Sequence, residues 1–293
     1  MSKQKEWFIG LGVAFGTLFL IIILVTYLSQ RQPYNGMRLS SRGEKVAVVE
    51  LIGPIYTSQR IVRQFKIYGK EKSVKAIVFR IDSPGGGVAA SQEIYQAVKK
   101  VRAKGKPVIA SMGSVAASGG YYVACGADTI MANPATTTGS IGVIAEIPNV
   151  TGLLNKIGIK FEVIKSGRFK DTGSPYRNMT AADRRYLQSA IDDFFDQFVN
   201  VVVQERKLPR KKVLKLADGR IFTGRQAKEN GLVDLLGDYE DAISLAAELG
   251  GIQGKPKIVK LYRRRVTLLD LLFQQAEGIL RGLSGAMLRY NLN

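Results

Sequence analysis

Val108–Gly126 reads VIASMGSVAASGGYYVACG, and its two halves follow different rules. Val108 to Met112 is a short apolar run, which predicts a strand. Gly119 to Gly126 predicts a helix opened by Ser118, because a hydroxyl is a favoured partner for the first unpaired amides of a helix. The pattern extends outward in both directions. Lys45–Ile52 (KVAVVELI), Ala76–Ile81 (AIVFRI) and Thr129–Ala132 read as further strands. Gln92–Arg102 places Ile94, Val98 and Val101 at i, i+4 and i+7, one face of a helix. Thr180, followed by Asp183, predicts a capped helix from Ala181 to about Lys207. Strands alternating with helices imply an α/β domain, with a parallel or mixed sheet carrying helices on its faces.

Composition removes whole classes of mechanism. The 293 residues include no histidine and one cysteine, Cys125. A Ser-His-Asp triad and a Cys-His dyad are therefore impossible. So are His-ligated zinc or haem and four-cysteine metal sites; no metal or other cofactor is implied. Catalysis would have to use Lys, Asp, Glu, Ser, Thr, Tyr or backbone groups. Lys and Arg total 43 against 24 Asp and Glu, a formal net charge of +19. Such a surplus suits nucleic acid, an anionic membrane surface or plain solubility. No helix-turn-helix, zinc finger or aromatic RNA-binding signature is present, which argues against nucleic acid. A membrane is favoured by the N-terminus.

Trp7–Leu28 is uncharged throughout and long enough to cross a bilayer. Trp7 and Tyr27 stand near its ends, where amphipathic rings prefer the interface. Ser29-Gln30-Arg31-Gln32 is a poor cleavage site, so the segment reads as a retained anchor rather than a removed signal peptide. Residues 1–28 thus form a stub and a transmembrane helix (7–28), and 29–44 a linker containing Pro33, Asn35 and Gly36. The flanking charges, Lys3 and Lys5 before the span and Arg31, Arg38, Arg42 and Lys45 after it, lean toward a cytoplasmic body. Residues 45–262 form the main domain. Residues 263–293 begin with three arginines and continue with Leu268, Leu269, Leu272 and Phe273. This tail could be an amphipathic helix on a membrane, on a neighbouring subunit or in a groove, or it could be a disordered end.

Three Gly/Ser-rich segments could carry chemistry: Asp82–Gly87 (DSPGGG), Gly113–Gly120 (GSVAASGG) and Thr138–Gly142 (TGSIG). Glycines after a strand leave amide N–H groups free for an anion or oxyanion. A phosphate cradle is the rival, but no GxxxxGK[ST] or GxGxxG accompanies them. Ser118 is the sharpest candidate nucleophile. Ala116–Gly120 is similar to a nucleophile elbow, with Ala in the first Gly position. Its bland alternative is a helix cap; Ser111 and Ser114 are rivals without a following Gly pair. Without histidine the base would be Lys, Asp or Glu. A lysine, with an ordinary pKa of about 10.4, must be lowered to ~7–8 by burial, at roughly 4 kcal/mol. It needs an apolar pocket without a carboxylate. Lys170 in SGRFKD, and only slightly behind it Lys165, fit a polar loop inside the domain.

DSPGGG, SxxAASGGYY, TGSIGV and KSGxxKDxGSP occur here in that order. Together they resemble the signal peptide peptidase A family, membrane-anchored Ser-Lys proteases of the Clp protease/crotonase-like fold. The resemblance runs from about Lys45 to Leu261, and the single-module length is similar to the short Gram-positive and archaeal form. It implies repeated β-β-α units, Ser118 as nucleophile, Lys170 as general base and Ser140 as the hydroxyl that orients the lysine. The amides of Gly86 and Gly119 would form the oxyanion hole. It also implies remnant signal peptides as substrates, ring-shaped homo-oligomers whose subunits complete one another's grooves, and a catalytic domain on the extracytoplasmic side, against the charge lean. A tail entering the groove would make residues 263–293 autoinhibitory. Two other classes share features of the sequence: a crotonase-type acyl-CoA enzyme and a non-enzymatic membrane scaffold.

Overall fold

The computed structural model describes residues 43–260. The expected anchor at 7–28, linker residues 29–42 and the tail at 263–293 lie outside the described residues. Among the described residues, no helix is long and apolar enough to cross a membrane.

Three long strands, β1 (Lys45–Ile52), β2 (Val74–Ser83) and β3 (Val108–Ala117), lie side by side in parallel. They are joined by α1 (Gln59–Lys70) and α2 (Val88–Arg102). After β3 come α3 (Gly119–Ala124), β4 (Thr129–Ala132), β5 (Thr137–Gly139), α4 (Thr151–Lys156) and α5 (Ala181–Arg206). The described chain closes with α6 (Arg210–Leu216), β6 (Ile221–Thr223), α7 (Gly224–Asn230), β7 (Leu235–Leu236), α8 (Tyr239–Leu249) and β8 (Lys257–Lys260). The sheet runs β6-β5-β3-β2-β1-β8, with β4 paired to both β3 and β7. Only β5–β6 is antiparallel among these pairs. The mixed α/β architecture expected from strand–helix alternation is therefore present.

Strand periodicity explains why KVAVVELI is apolar nearly throughout. Successive side chains point to opposite faces, and both faces are covered. Ala47, Val49 and Leu51 enter a core shared with Phe65 and Tyr68 of α1, Val98 of α2 and Val199 of α5. Val46 and Val48 face the other way and pack with Ala242, Ile243 and Ala246 of α8. Cys125 is buried, and burial pushes its thiol up to about 12, so it stays a neutral packing group.

The predicted strands at Lys45–Ile52 and Thr129–Ala132 match residue for residue, and α5 opens with the full Thr180/Asp183 capping box. β2 and β3 run longer than their apolar runs. β3 changes partner along its length: Ile109–Met112 pairs with β4, and Val115–Ala117 pairs with β5. That second partner extends the strand past Gly113-Ser114, where composition alone would end it. α1 was absent from the sequence reading, although Ile61, Phe65 and Tyr68 give it an apolar face at helical spacing.

Candidate active site

The exchange of partners by β3 builds the site. Its carboxyl end carries Ser118 in the left-handed region, φ 51° and ψ −121°. A non-glycine residue there costs about 1–3 kcal/mol and persists only when its surroundings fix it. Here they do. The Ser118 N–H donates to the Gly139 carbonyl at 2.8 Å, and the Ser118 carbonyl accepts from the Tyr122 N–H at 2.9 Å. The strand beneath is held by Thr138 Oγ1, which donates to the Ala116 carbonyl, and by Asp82 Oδ1, which accepts from the Val115 N–H. The Ser118 side chain makes no capping bond to α3, although it stands at its N-cap.

Two loops converge on this turn. The triple glycine after β2 passes so close to the backbone of Ile55 that a Cβ on Gly86, at φ +152°, would lie 2.7 Å from the Ile55 nitrogen. A Cβ on Gly119 would lie 2.5 Å from Ser91 Oγ and 3.2 Å from the Gly86 nitrogen. The two glycine amides are thus neighbours, and side chains are excluded from between them. Neither N–H has a hydrogen-bond acceptor among the described residues, whereas the adjacent Gly87 N–H donates to Ile55 at 2.8 Å. Paired free amides beside a hydroxyl can stabilise a developing oxyanion.

Ser118, Gly86, Gly119 and Ser140 all line one cavity of about 690 Å³. Ser140 is also strained, at φ 49°, and its N–H donates to the Arg220 carbonyl at 2.8 Å. The rival serines are elsewhere: Ser111 is buried and accepts from Arg80, and Ser114 is exposed outside the cavity lining. The α5 side of the cavity presents Ile191, Phe194, Phe195 and Phe198 together with Gln188, Asp192 and Gln197, and Val143 and Ile144 also line it. Sequence alone does not single out these lining residues. The helical spacing of the α5 residues was visible, but not which pocket they would face.

Lys170 is not among the cavity-lining residues. It lies exposed on the segment between Ile141 and Asp183, in which no residue from 142 to 182 is buried. Lys165 and Lys170 are nonetheless distinguishable. Lys165 Nζ is committed to Asp171 at 2.6 Å. The Lys170 side chain has no ion pair or hydrogen bond among the described residues. The segment is tied to the start of α5 by Arg177, which reaches Asp171 at 2.8 Å and Asp183 at 2.7 Å. Hydrogen bonds from Arg177 hold both carboxyls well below the ordinary carboxylate range. With folded values below unfolded ones, this tie is at full strength above about pH 4 and weakens as pH falls through the depressed values. Arg177→Ala is therefore expected to speed amide hydrogen exchange in residues 165–180 at least about tenfold at neutral pH, with β1–β3 unchanged. Unaltered exchange there would show that the segment is held by other contacts.

The chain matches two families: peptidase family S49 over residues 100–253 and Clp protease over residues 37–142. It is 47% identical over 215 residues to a Synechocystis sp. protein named as a protease, slr0021, covering 73% of this chain and 77% of that protein. It is 42% identical over 188 residues to an Enterococcus faecium protein named as a signal peptide peptidase, SppA, covering 64% of this chain and 55% of that one. Protease 4 of Salmonella typhi is 38% identical over 213 residues, 73% of this chain but 34% of that protein. A hydroxyl on a strained strand-to-helix turn, beside free amides, is the arrangement expected of such enzymes. The chain belongs to peptidase family S49, a family of serine proteases.

Proposed function

We propose that this chain is a membrane-anchored endopeptidase that uses a Ser118–Lys170 pair to cleave remnant signal peptides and similar unfolded apolar peptides. The observation that carries the reading is the strained Ser118 beside the free amides of Gly86 and Gly119, at the mouth of an apolar groove. Ser118 Oγ attacks the scissile carbonyl carbon while its proton passes to Lys170 Nζ. The carbonyl oxygen, now anionic, accepts from the two glycine amides. The C–N bond breaks, and the Lys170 ammonium returns its proton to the leaving amine. Lys170 takes a proton from the water that attacks the acyl ester and passes it to Ser118 Oγ as the acyl C–O bond breaks and the acid leaves. Ser140 orients the lysine amine. The α5 wall takes apolar substrate side chains, which suits the hydrophobic core of a signal peptide.

Lys170 reaches Ser118 from an adjoining copy in a ring-shaped homo-oligomer. Two observations support this. Lys170 is exposed and outside the groove of its own chain. Its segment also exposes Leu153, Ile157, Phe161, Val163 and Ile164, an apolar surface that a second copy would cover. Trp7–Leu28 anchors the chain with the catalytic domain extracytoplasmic. A serine-directed acylating probe tests the chemistry: it is expected to modify Ser118 alone, as located by mass spectrometry, and no modification with Lys170→Ala. Labelling at any other serine would displace Ser118 from its role.

A further inference from the structure

A second groove, of about 910 Å³, lies between α1 and α2. Its floor includes Val62 and Phe65, and its rim carries Lys66 and Lys70 from α1 and Lys100 and Lys104 from the end of α2 and the turn after it. All four lysines are exposed, and none makes an ion pair among the described residues. Glu93, the only carboxylate lining the groove, accepts from the Ser58 hydroxyl. Lys70 and Lys100 stand in the last turns of their helices, where a cation offsets the helix dipole. That role does not cover Lys66 or Lys104, and Lys66 and Lys70, four residues apart on one helix, repel each other. Four ammonium groups without an ion pair among the described residues, around an apolar floor whose one lining carboxylate is engaged by Ser58, suit an anionic amphiphile.

The position of the groove indicates which one. Lys106 Nζ donates to the Tyr68 and Glu71 carbonyls at the end of α1, at 2.6 and 2.8 Å, and the Lys45 N–H donates to Ser73 at 2.9 Å. The basic ends of α1 and α2 therefore share the edge of the sheet at which β1 begins, whereas Ser118 lies at the opposite, carboxyl end of β3. Among the described residues, β1 is also the first strand after the proposed anchor in the sequence. We propose that the α1–α2 groove binds anionic phospholipids of the bilayer that holds the anchor. The lysines take the headgroup phosphate and the floor takes the glycerol and proximal acyl carbons, leaving the Ser118 groove uncovered.

This inference rests on the anchor read in Trp7–Leu28, and the test separates the two. The full chain is reconstituted in vesicles of phosphatidylcholine alone or mixed with phosphatidylglycerol. Flotation is measured, and lysine acetylation is followed residue by residue by mass spectrometry. The chain is expected to float with both. Acetylation of Lys66, Lys70, Lys100 and Lys104 is expected to slow by about fivefold in the mixed vesicles only, to recover in high salt, and to be unchanged at Lys211. In a Lys66→Glu/Lys104→Glu variant that keeps peptidase activity, the protection of Lys70 and Lys100 is expected to vanish. Equal acetylation in both vesicles would overturn the lipid site. So would equal protection in phosphatidylcholine alone, which would assign the groove to a second copy, or protection by polyglutamate but not by phosphatidylglycerol, which would assign it to an acidic peptide. A chain that floats with neither vesicle removes the anchor and the lipid site with it; flotation without protection removes the lipid site alone.

Discussion

Replacing Ser118 by alanine is expected to lower peptide hydrolysis by at least about 10³-fold while leaving the fold intact. The two halves of that expectation have separate causes. Ser118 Oγ makes no capping bond to α3, and the residue is anchored by its own N–H and carbonyl, which alanine retains. Alanine meets the same backbone strain at φ 51° as serine does. The midpoint of thermal unfolding should therefore move by no more than about 2 °C. The rate, by contrast, loses the covalent pathway altogether, because the chain has no histidine or accessible cysteine to take over. Retention of near-normal hydrolysis by a folded Ser118→Ala protein would place the nucleophile elsewhere.

Mixing two dead variants is expected to restore life. Ser118→Ala and Lys170→Ala should each be inactive alone. If subunits exchange at random in a ring, the neighbouring pair that combines an intact Ser118 with an intact Lys170 arises at about one site in four. Co-assembled variants should then recover about a quarter of the wild-type rate, and covalently tethered alternating copies about half. The physical reason lies in exposure. A lysine amine serves as a base only when it is kept dry and away from carboxylates. Lys170 makes no ion pair among the described residues, and being exposed it can be kept dry only when another copy covers its segment. Absence of recovery on mixing, with co-assembly verified by size, would mean that Lys170 serves the serine of its own chain or serves none.

The lysine-rimmed groove and the apolar segment that carries Lys170 differ in chemistry. The segment exposes Phe161, Val163 and Ile164, which suits another protein surface. The groove exposes ammonium groups around a small apolar floor, which suits phosphate on a lipid. Four of the lysines behind the formal charge of +19 rim this groove, whereas the charged residues lining the Ser118 cavity are Asp192 and Asp218.

Local rules made the strand–Ser118–helix junction readable from the amino acids alone. An apolar run, a hydroxyl and two glycines act over a few residues and need no distant partner. A triple glycine after a strand raises free amides as one reading beside a tight turn, and the choice of Gly86 and Gly119 comes from the family resemblance rather than from local rules. Absence of histidine likewise limits the base to Lys, Asp or Glu. Tertiary structure decided the rest. It brought β5 alongside the second half of β3, so that Ser140 shares a cavity with Ser118. It set Ile191, Phe194, Phe195 and Phe198 along the cavity that holds Ser118, although in sequence they are simply one side of a long helix. It also left Lys170 in solvent, which no spacing along the chain discloses. Neighbours within a turn or a strand are set by bond geometry, whereas which surfaces meet is set by burying apolar area across the whole chain, and that is a property no short window of residues contains.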